Sequence, residues 1–434
     1  MRIQENCKCG KTHVFTGEVI VKEGALLELP RLVRRYGAKK VFLIADANTY
    51  VAAGEQVAQL LERERITIAR CVFEDKALEP NEYSVGRAIM YYEADCDLVI
   101  GVGSGVINDI GKIVAHVAGK PYIIVGTAPS MDGYASATSS MTRDGLKISL
   151  ASKCADVIIG DLDILCQAPV KLMASGLGDM LAKYVSICEW RIAHLITGEY
   201  YCPEIAQLVR TALKRCVDHA EGLLRRDPEA VKAVFEGLVI GGVAMAYAGV
   251  SRPASGVEHY FSHVWDMRAV EFGTAAQLHG IQCAMATYQA VKLYEEVKKL
   301  TPDYQKAAAY VEAFELPAWE QILREFLGKG AEAMIALEKK EGKYRKETHP
   351  ARFAVIRQSW PQILQILEEE LPASGQIKAL LDTMGISADL ETIGVDGPCA
   401  RTSFMATKDI RDKYVLSRLA WDLGILEELA QKMA

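Results

Sequence analysis

The chain has 434 residues, 50% of them hydrophobic and 24% charged, with a formal net charge of -6. That length and apolar share can build two sizeable cores, so two domains are the default expectation. An acidic balance without a dense Lys/Arg stripe argues against nucleic acid as the main partner. The longest uncharged run, Gly237 to Ser251, is shorter than the about 20 residues a bilayer span needs and reads as a buried helix, so no membrane insertion is expected. The opening MRIQENCKCG has no apolar signal segment, and eleven cysteines are scattered without a disulfide-like framework. Both point to a cytosolic protein with reduced thiols.

In chain order, Cys7, Cys9 and His13 form a C-x-C-x-x-x-H cluster with no fourth ligand nearby. It reads more readily as a surface turn ahead of a first strand than as a structural zinc site. KKVFLIAD is a strand, the stretch from Tyr50 to Arg65 a helix, ITIARCVF a strand and PNEYSVGRAIMYYEA a helix. Asp46, ending the first of these strands, is placed either to accept ribose hydroxyls or to cap the following helix. A carboxylate there would disfavour the extra phosphate of NADP.

DCDLVIG is short, apolar and β-branched, a buried strand feeding a loop that contains Gly103, Ser104 and Gly105. A helix should follow, with Asn108 and Asp109 in its first turn. The backbone N–H groups of Gly105, Val106 and Ile107, with the positive end of the helix dipole, would hold a pyrophosphate. The spacing is not G-x-G-x-x-G, because Val106 stands where the third glycine belongs. PYIIVG is a second buried strand and ends in TAPSMDGYAS, residues 127–136. In an open α/β sheet ligands sit outside the carboxyl ends of neighbouring strands, where both loops emerge.

Strand and helix signals alternate to about Asp163, and after Pro169 the pattern becomes 3.6-periodic. Three helical segments there carry metal-ligand residue types: SGLGDMLAKYVSI with Asp179, SGVEHYFSHVWD with His259 and His263, and QLHGIQCAMATY with His279. A carboxylate and imidazoles from separate helices can close on one divalent ion and leave positions open for substrate. Each alone is more often a cap or a satisfied polar residue. His259 and His263 are four apart and share a helix face, so spacing permits both to chelate and does not choose. Cys188 and Cys202 read as small apolar fillers.

GSGVINDIGK resembles the GGGxxxDxxK signature of the iron-containing alcohol dehydrogenase and dehydroquinate synthase superfamily, with Ser104 for the middle glycine. TAPSMDGYAS is similar to the glycerol-1-phosphate dehydrogenase branch, as are the local motifs G-x-G-D, G-x-E-H-x-x-x-H and L-H-G. The resemblance implies a dehydroquinate synthase-like fold, with a Rossmann-like α/β domain over residues 1–166 and an all-helical metal and substrate domain over residues 167–434. It implies NAD or NADP as cofactor, held by the glycine loop with Asp109, and by Thr127, Ser130 and Ser136 near the nicotinamide. It also implies one divalent ion, zinc, nickel or iron, on Asp179, His259 and His279. Asp132, Asp179 and His263 would touch substrate, with His263 returning a proton and Asp132 fixing hydroxyls. The implied reaction interconverts dihydroxyacetone phosphate and sn-glycerol 1-phosphate. Arg252 and Lys153, near the motifs, are the expected cations for the substrate phosphate. A homodimer is plausible from apolar helical surface. The alternatives are a polyol or glycerol dehydrogenase, a dehydroquinate synthase-like cyclase, and a cofactor-binding regulator without activity.

Overall fold

The computed structural model describes residues 2–3, 7–75, 78–143 and 146–433. Part of the opening MRIQENCKCG therefore lies outside the described residues. The chain divides into two compact units, Met1–Met180 with Glu204–Val250, and Leu181–Pro203 with Ser251–Ala434. We call them the sheet unit and the helical unit. The strand-to-helix change expected near residue 166 is where regular strands end, but helices from 170–180, 204–218 and 228–248 cluster with the sheet.

The sheet unit is built on six parallel strands in the spatial order Glu18–Lys22, Val157–Asp161, Tyr122–Gly126, Leu98–Gly103, Lys40–Asp46, Thr67–Phe73. The central strands are fully buried, as their unbroken Val/Ile/Leu runs require when helices cover both faces. From Thr67–Phe73 at one edge the chain returns to Leu98–Gly103 and then moves strand by strand the other way. That reversal puts a topological switch point between Lys40–Asp46 and Leu98–Gly103, the place where such sheets take ligands. Glu18–Lys22, at the sheet edge, is the strand that follows the Cys7–His13 turn, whereas Val157–Asp161 and the antiparallel hairpin Thr138–Arg143/Leu146–Ala151 were not named from the sequence. The helix expected over Tyr50–Arg65 starts at Ala47 and passes through a π-helical stretch, Tyr50–Gly54.

The apolar run around Gly237–Ser251 belongs to a longer helix, Pro228–Ala248, begun by an Asp227 cap and Pro228 and ended by Gly249 at φ 71°. Its length and hydropathy would permit a membrane span. Most of its residues are buried in the sheet unit, and Phe235 lies against Gly126 and Gly160 of the central strands.

The helical unit contains no described strand, which matches the expected all-helical pattern. Its helices Val257–Phe272 and His279–Val297 pack on each other, and Gly273 in a left-handed conformation ends the first.

Candidate active site

In the sheet unit, Gly103 ends a strand at the switch point and Ser104 opens the helix Gly105–Ala118. The Ser104 side chain makes no capping hydrogen bond. The first backbone acceptor is used by Asn108, whose N–H donates to Ser104 O at 2.9 Å. The N–H groups of Gly105, Val106 and Ile107 thus lack acceptors within the helix and can meet an anion. A Cβ on Gly103 would come within 2.6 Å of Ile107 Cβ, so this glycine lets the strand turn tightly into its own helix.

The loop after Tyr122–Gly126 is fixed from several sides. Thr127 N–H donates to Gly103 O at 3.1 Å, and the Tyr134 hydroxyl to Ala128 O at 2.7 Å. Ser175 Oγ donates to Ser130 O at 3.0 Å. Gly176 is required beneath it, because a Cβ there would fall 1.8 Å from Pro129 O. Asp132 N–H donates to Asp179 Oδ2 at 2.9 Å, so the buried Asp179 carboxylate already organises the loop that carries Asp132. Thr127, Ser130 and Ser136 are buried, and Ser136 Oγ is engaged with Thr138 in a local turn.

Lys112 is the residue that sequence reasoning left without a role here. Fully buried, its ammonium donates to Gly133 O at 3.1 Å and to Thr138 O at 2.5 Å, and pairs with Asp109 at 3.0 Å. It ties the glycine-loop helix to the 127–136 loop. Burial raises the Asp109 carboxyl against the pull of Lys112, so Asp109 serves this internal pair. Asp46 forms a complete capping box, its Oδ1 accepting from Asn48 N–H at 2.9 Å and Thr49 N–H at 3.0 Å. Of its two expected roles, capping is the one the geometry displays. Lys153 pairs with Asp156 at 2.7 Å, and Asp156 in turn accepts from Tyr122 N–H at the amino end of its strand. That is the wrong edge of the sheet for a substrate phosphate.

In the helical unit, ligand atoms of His259, His279 and Cys283 lie within 4.8 Å of one another. His259 is buried, and its Nδ1 donates to Glu258 Oε1 at 2.9 Å, which fixes the proton on Nδ1 and leaves Nε2 as the lone-pair nitrogen. Ser262 Oγ gives its proton to Gln282 Oε1 at 2.6 Å and so accepts from His279 Nδ1 at 2.9 Å. The second imidazole therefore also presents Nε2. Cys283 Sγ lies 3.6 Å from that nitrogen. Burial alone would raise this thiol, but His259 and His279 outweigh it and bring it below its ordinary value. The signal that could have found Cys283 is its place one helical turn after His279.

His263 is half-buried, its ring 6.4 Å from that of His279 and stacked on it. Burial, then the positive charge of Arg411 and the neighbouring imidazoles, push it well below the usual histidine range. Arg252 does not offer a cation to a ligand. It is buried, bound through Nε and Nη2 to the Glu199 carboxylate at 2.6 and 2.7 Å, and through Nη1 to Tyr414 O at 3.0 Å.

A family model described as iron-containing alcohol dehydrogenase matches residues 20–169. A protein of Halalkalibacterium halodurans named glycerol-1-phosphate dehydrogenase (NAD(P)+) is 34% identical over 310 residues, 70% of this chain and 78% of that protein. One of the same name from Pyrococcus furiosus is 30% identical over 315 residues, 72% of this chain and 89% of its own length. The chain belongs to the glycerol-1-phosphate dehydrogenase family. A Geobacillus thermodenitrificans member is 29% identical over 382 residues, 87% of this chain and 85% of that member. The fold is shared with more distant solved structures. A Schizosaccharomyces pombe glycerol dehydrogenase matches at TM-score 0.61 and 17% identity, over 98% of this chain and 92% of that one. An alcohol dehydrogenase from Oenococcus oeni matches at TM-score 0.64 and 14% identity, over 98% and 100%.

Proposed function

We propose that this family member is a metal-dependent oxidoreductase that interconverts dihydroxyacetone phosphate and sn-glycerol 1-phosphate with NAD(P)H. The observation that carries the reading is the pair of imidazoles, His259 and His279, each holding its proton on Nδ1 through a dedicated partner and presenting Nε2. Such second partners are how proteins prepare histidines for a metal. Asp179 is the third ligand in this reading, supported by the family motif that carries it and by its burial. Three protein donors leave a position open for substrate, whereas Cys283 as a fourth would close the site, so Cys283 is assigned as a neighbour. When bound, the ion supplies Lewis-acid polarisation of the C2 oxygen, and zinc, nickel or ferrous iron suits the donor set.

The glycine loop would bind the cofactor pyrophosphate through the N–H groups of Gly105, Val106 and Ile107, with Thr127, Ser130 and Ser136 on the nicotinamide side. Asp132 would orient the substrate hydroxyls, its loop held by Lys112 and Asp179. His263, kept neutral at pH 7, takes the hydroxyl proton during oxidation and returns it during reduction, directly or through water. Arg252, bound to Glu199, and Lys153, paired with Asp156, are not assigned to the substrate phosphate. Eleven cysteines without a disulfide suit the cytosol.

The test follows nicotinamide absorbance with dihydroxyacetone phosphate, with dihydroxyacetone and with no substrate, using NADH and NADPH in turn. Rapid oxidation is expected with the phosphate ester alone. Equal rates with and without the phosphate would overturn the substrate assignment in favour of a glycerol dehydrogenase, and no turnover after metal loading would favour a binding protein.

A further inference from the structure

We propose that Cys7, Cys9, His13 and Cys202 hold a structural zinc ion, separate from the active site and fastening the N-terminal segment. The C-x-C-x-x-x-H cluster is more than a surface turn. A turn closed by Gly10 N–H on Cys7 O at 2.9 Å, with Gly10 at φ 76°, folds the chain so that ligand atoms of Cys7, Cys9 and His13 come within 4.8 Å of one another. Cys7 and His13 are buried, the latter 1% exposed.

The decisive detail is the orientation of His13. Its Nδ1 donates to Tyr247 O at 3.2 Å, which leaves Nε2 with its lone pair, and Nε2 lies 3.1 Å from Cys9 Sγ. A backbone carbonyl on the far nitrogen is the usual second partner of a zinc-bound histidine. Zn–S and Zn–N bonds of about 2.3 and 2.0–2.1 Å set tetrahedral S···N and S···S separations of about 3.5–3.8 Å. The Cys9–His13 pair, at 3.1 Å, meets that spacing with a shift of a few tenths of an ångström.

The fourth donor comes from a distant part of the sequence. Cys7 Sγ lies 3.3 Å from Glu204 Oε2, at the start of the helix Pro203–Asp218. Cys202 stands two residues before Glu204 and is fully buried. Three thiolates and one imidazole make a closed, soft donor set of the kind that holds structural zinc. On binding, the three thiols lose their protons to water and form Zn–S bonds, and the half-buried Glu204 carboxylate gives up the Cys7 thiol hydrogen bond. Because His13 is tied to Tyr247 at the end of Pro228–Ala248, the ion would pin the first strands of the sheet unit to that helix.

Zinc content of the purified full chain, measured beside Cys9→Ser and Cys202→Ser, tests this. One equivalent per chain should be lost in each variant, while His279→Ala keeps it. Unchanged zinc in both cysteine variants overturns the proposal. Should those variants fail to fold, zinc X-ray absorption of the Cys283→Ser chain answers the question with all four proposed ligands intact. A sulfur shell at about 2.3 Å is expected. A spectrum with only nitrogen and oxygen neighbours, or a disulfide joining two of these cysteines in the unreduced protein, overturns it.

Discussion

Glu258 Oε1 accepts a hydrogen bond from His259 Nδ1 at 2.9 Å, and the same oxygen accepts Gly256 N–H at 2.6 Å. The carboxylate is thus locked by the helix start and in turn locks the imidazole. Glu258→Ala should weaken metal affinity by about 10–100-fold, the usual cost of removing such a partner, without removing a ligand. Competition with a chelator of known affinity reads it out. Affinity equal to that of the unaltered protein would mean that His259 is not a ligand.

The two histidines on one helix face should separate by metal content. His279→Ala and His259→Ala should lose the ion, whereas His263→Ala should keep it yet slow turnover by about 10²- to 10⁴-fold, as when a general acid–base group is removed. Cys283→Ser should also keep its metal. Restoration of His263→Ala to near full rate by added metal would show that His263 is a ligand instead.

At the glycine loop the informative substitution is Gly105→Asp. A Cβ there meets only the flexible Met131 side chain, at 3.2 Å, whereas Gly103→Val would collide with Ile107 and report on folding. An acidic residue in the first turn stabilises a helix by about 0.3–1 kcal/mol. The same charge should weaken NAD(P)H binding by about tenfold or more, because it stands where pyrophosphate belongs. Thermal melting and cofactor titration should move in opposite senses, and an unchanged cofactor affinity would place the nucleotide elsewhere.

Glu189 gives a pH dependence. Buried and facing Glu258, its carboxyl is pushed up to about 8, although Leu416 and Val257 N–H groups favour its charged form. A pKa raised in the folded state means that the native protein holds a proton the unfolded chain releases above its ordinary carboxylate range, near 4.5. The stabilisation is complete below that range and is lost as pH rises through about 8. Denaturation of Glu189→Gln should lack this decline, from a lower starting stability because Val257 N–H then faces an amide. An identical pH slope in the variant would remove Glu189 as its source.

Much of this was legible in the sequence, for identifiable reasons. VIIGD aside, the central strands announce themselves as unbroken β-branched runs, and Asp179, His259 and His279 sit in local motifs of fixed spacing. What the sequence hid depends on partners far along the chain. Arg252 looks available until Glu199 and Tyr414 are brought to it. Lys112 belongs to a signature, but its task is set by Gly133 and Thr138. The choice between His259 and His263 cannot come from a four-residue spacing, since only Glu258 and the burial around each ring distinguish them.

The seat of Phe235 carries a consequence for how the chain is made. A Cβ on Gly126 or Gly160 would come within 2.8 or 2.5 Å of its ring, so two central strands keep a bare stripe for one aromatic from residue 235. Unit boundaries likewise place 204–250 with the sheet. A ribosome that has released only the first 169 residues has therefore emitted six strands whose covering helix does not yet exist. Until Pro228–Ala248 emerges, that stripe stays open to water and to other nascent chains. The region matched by the alcohol dehydrogenase family model, ending at residue 169, is thus not a piece that can be cut out and expected to stay soluble.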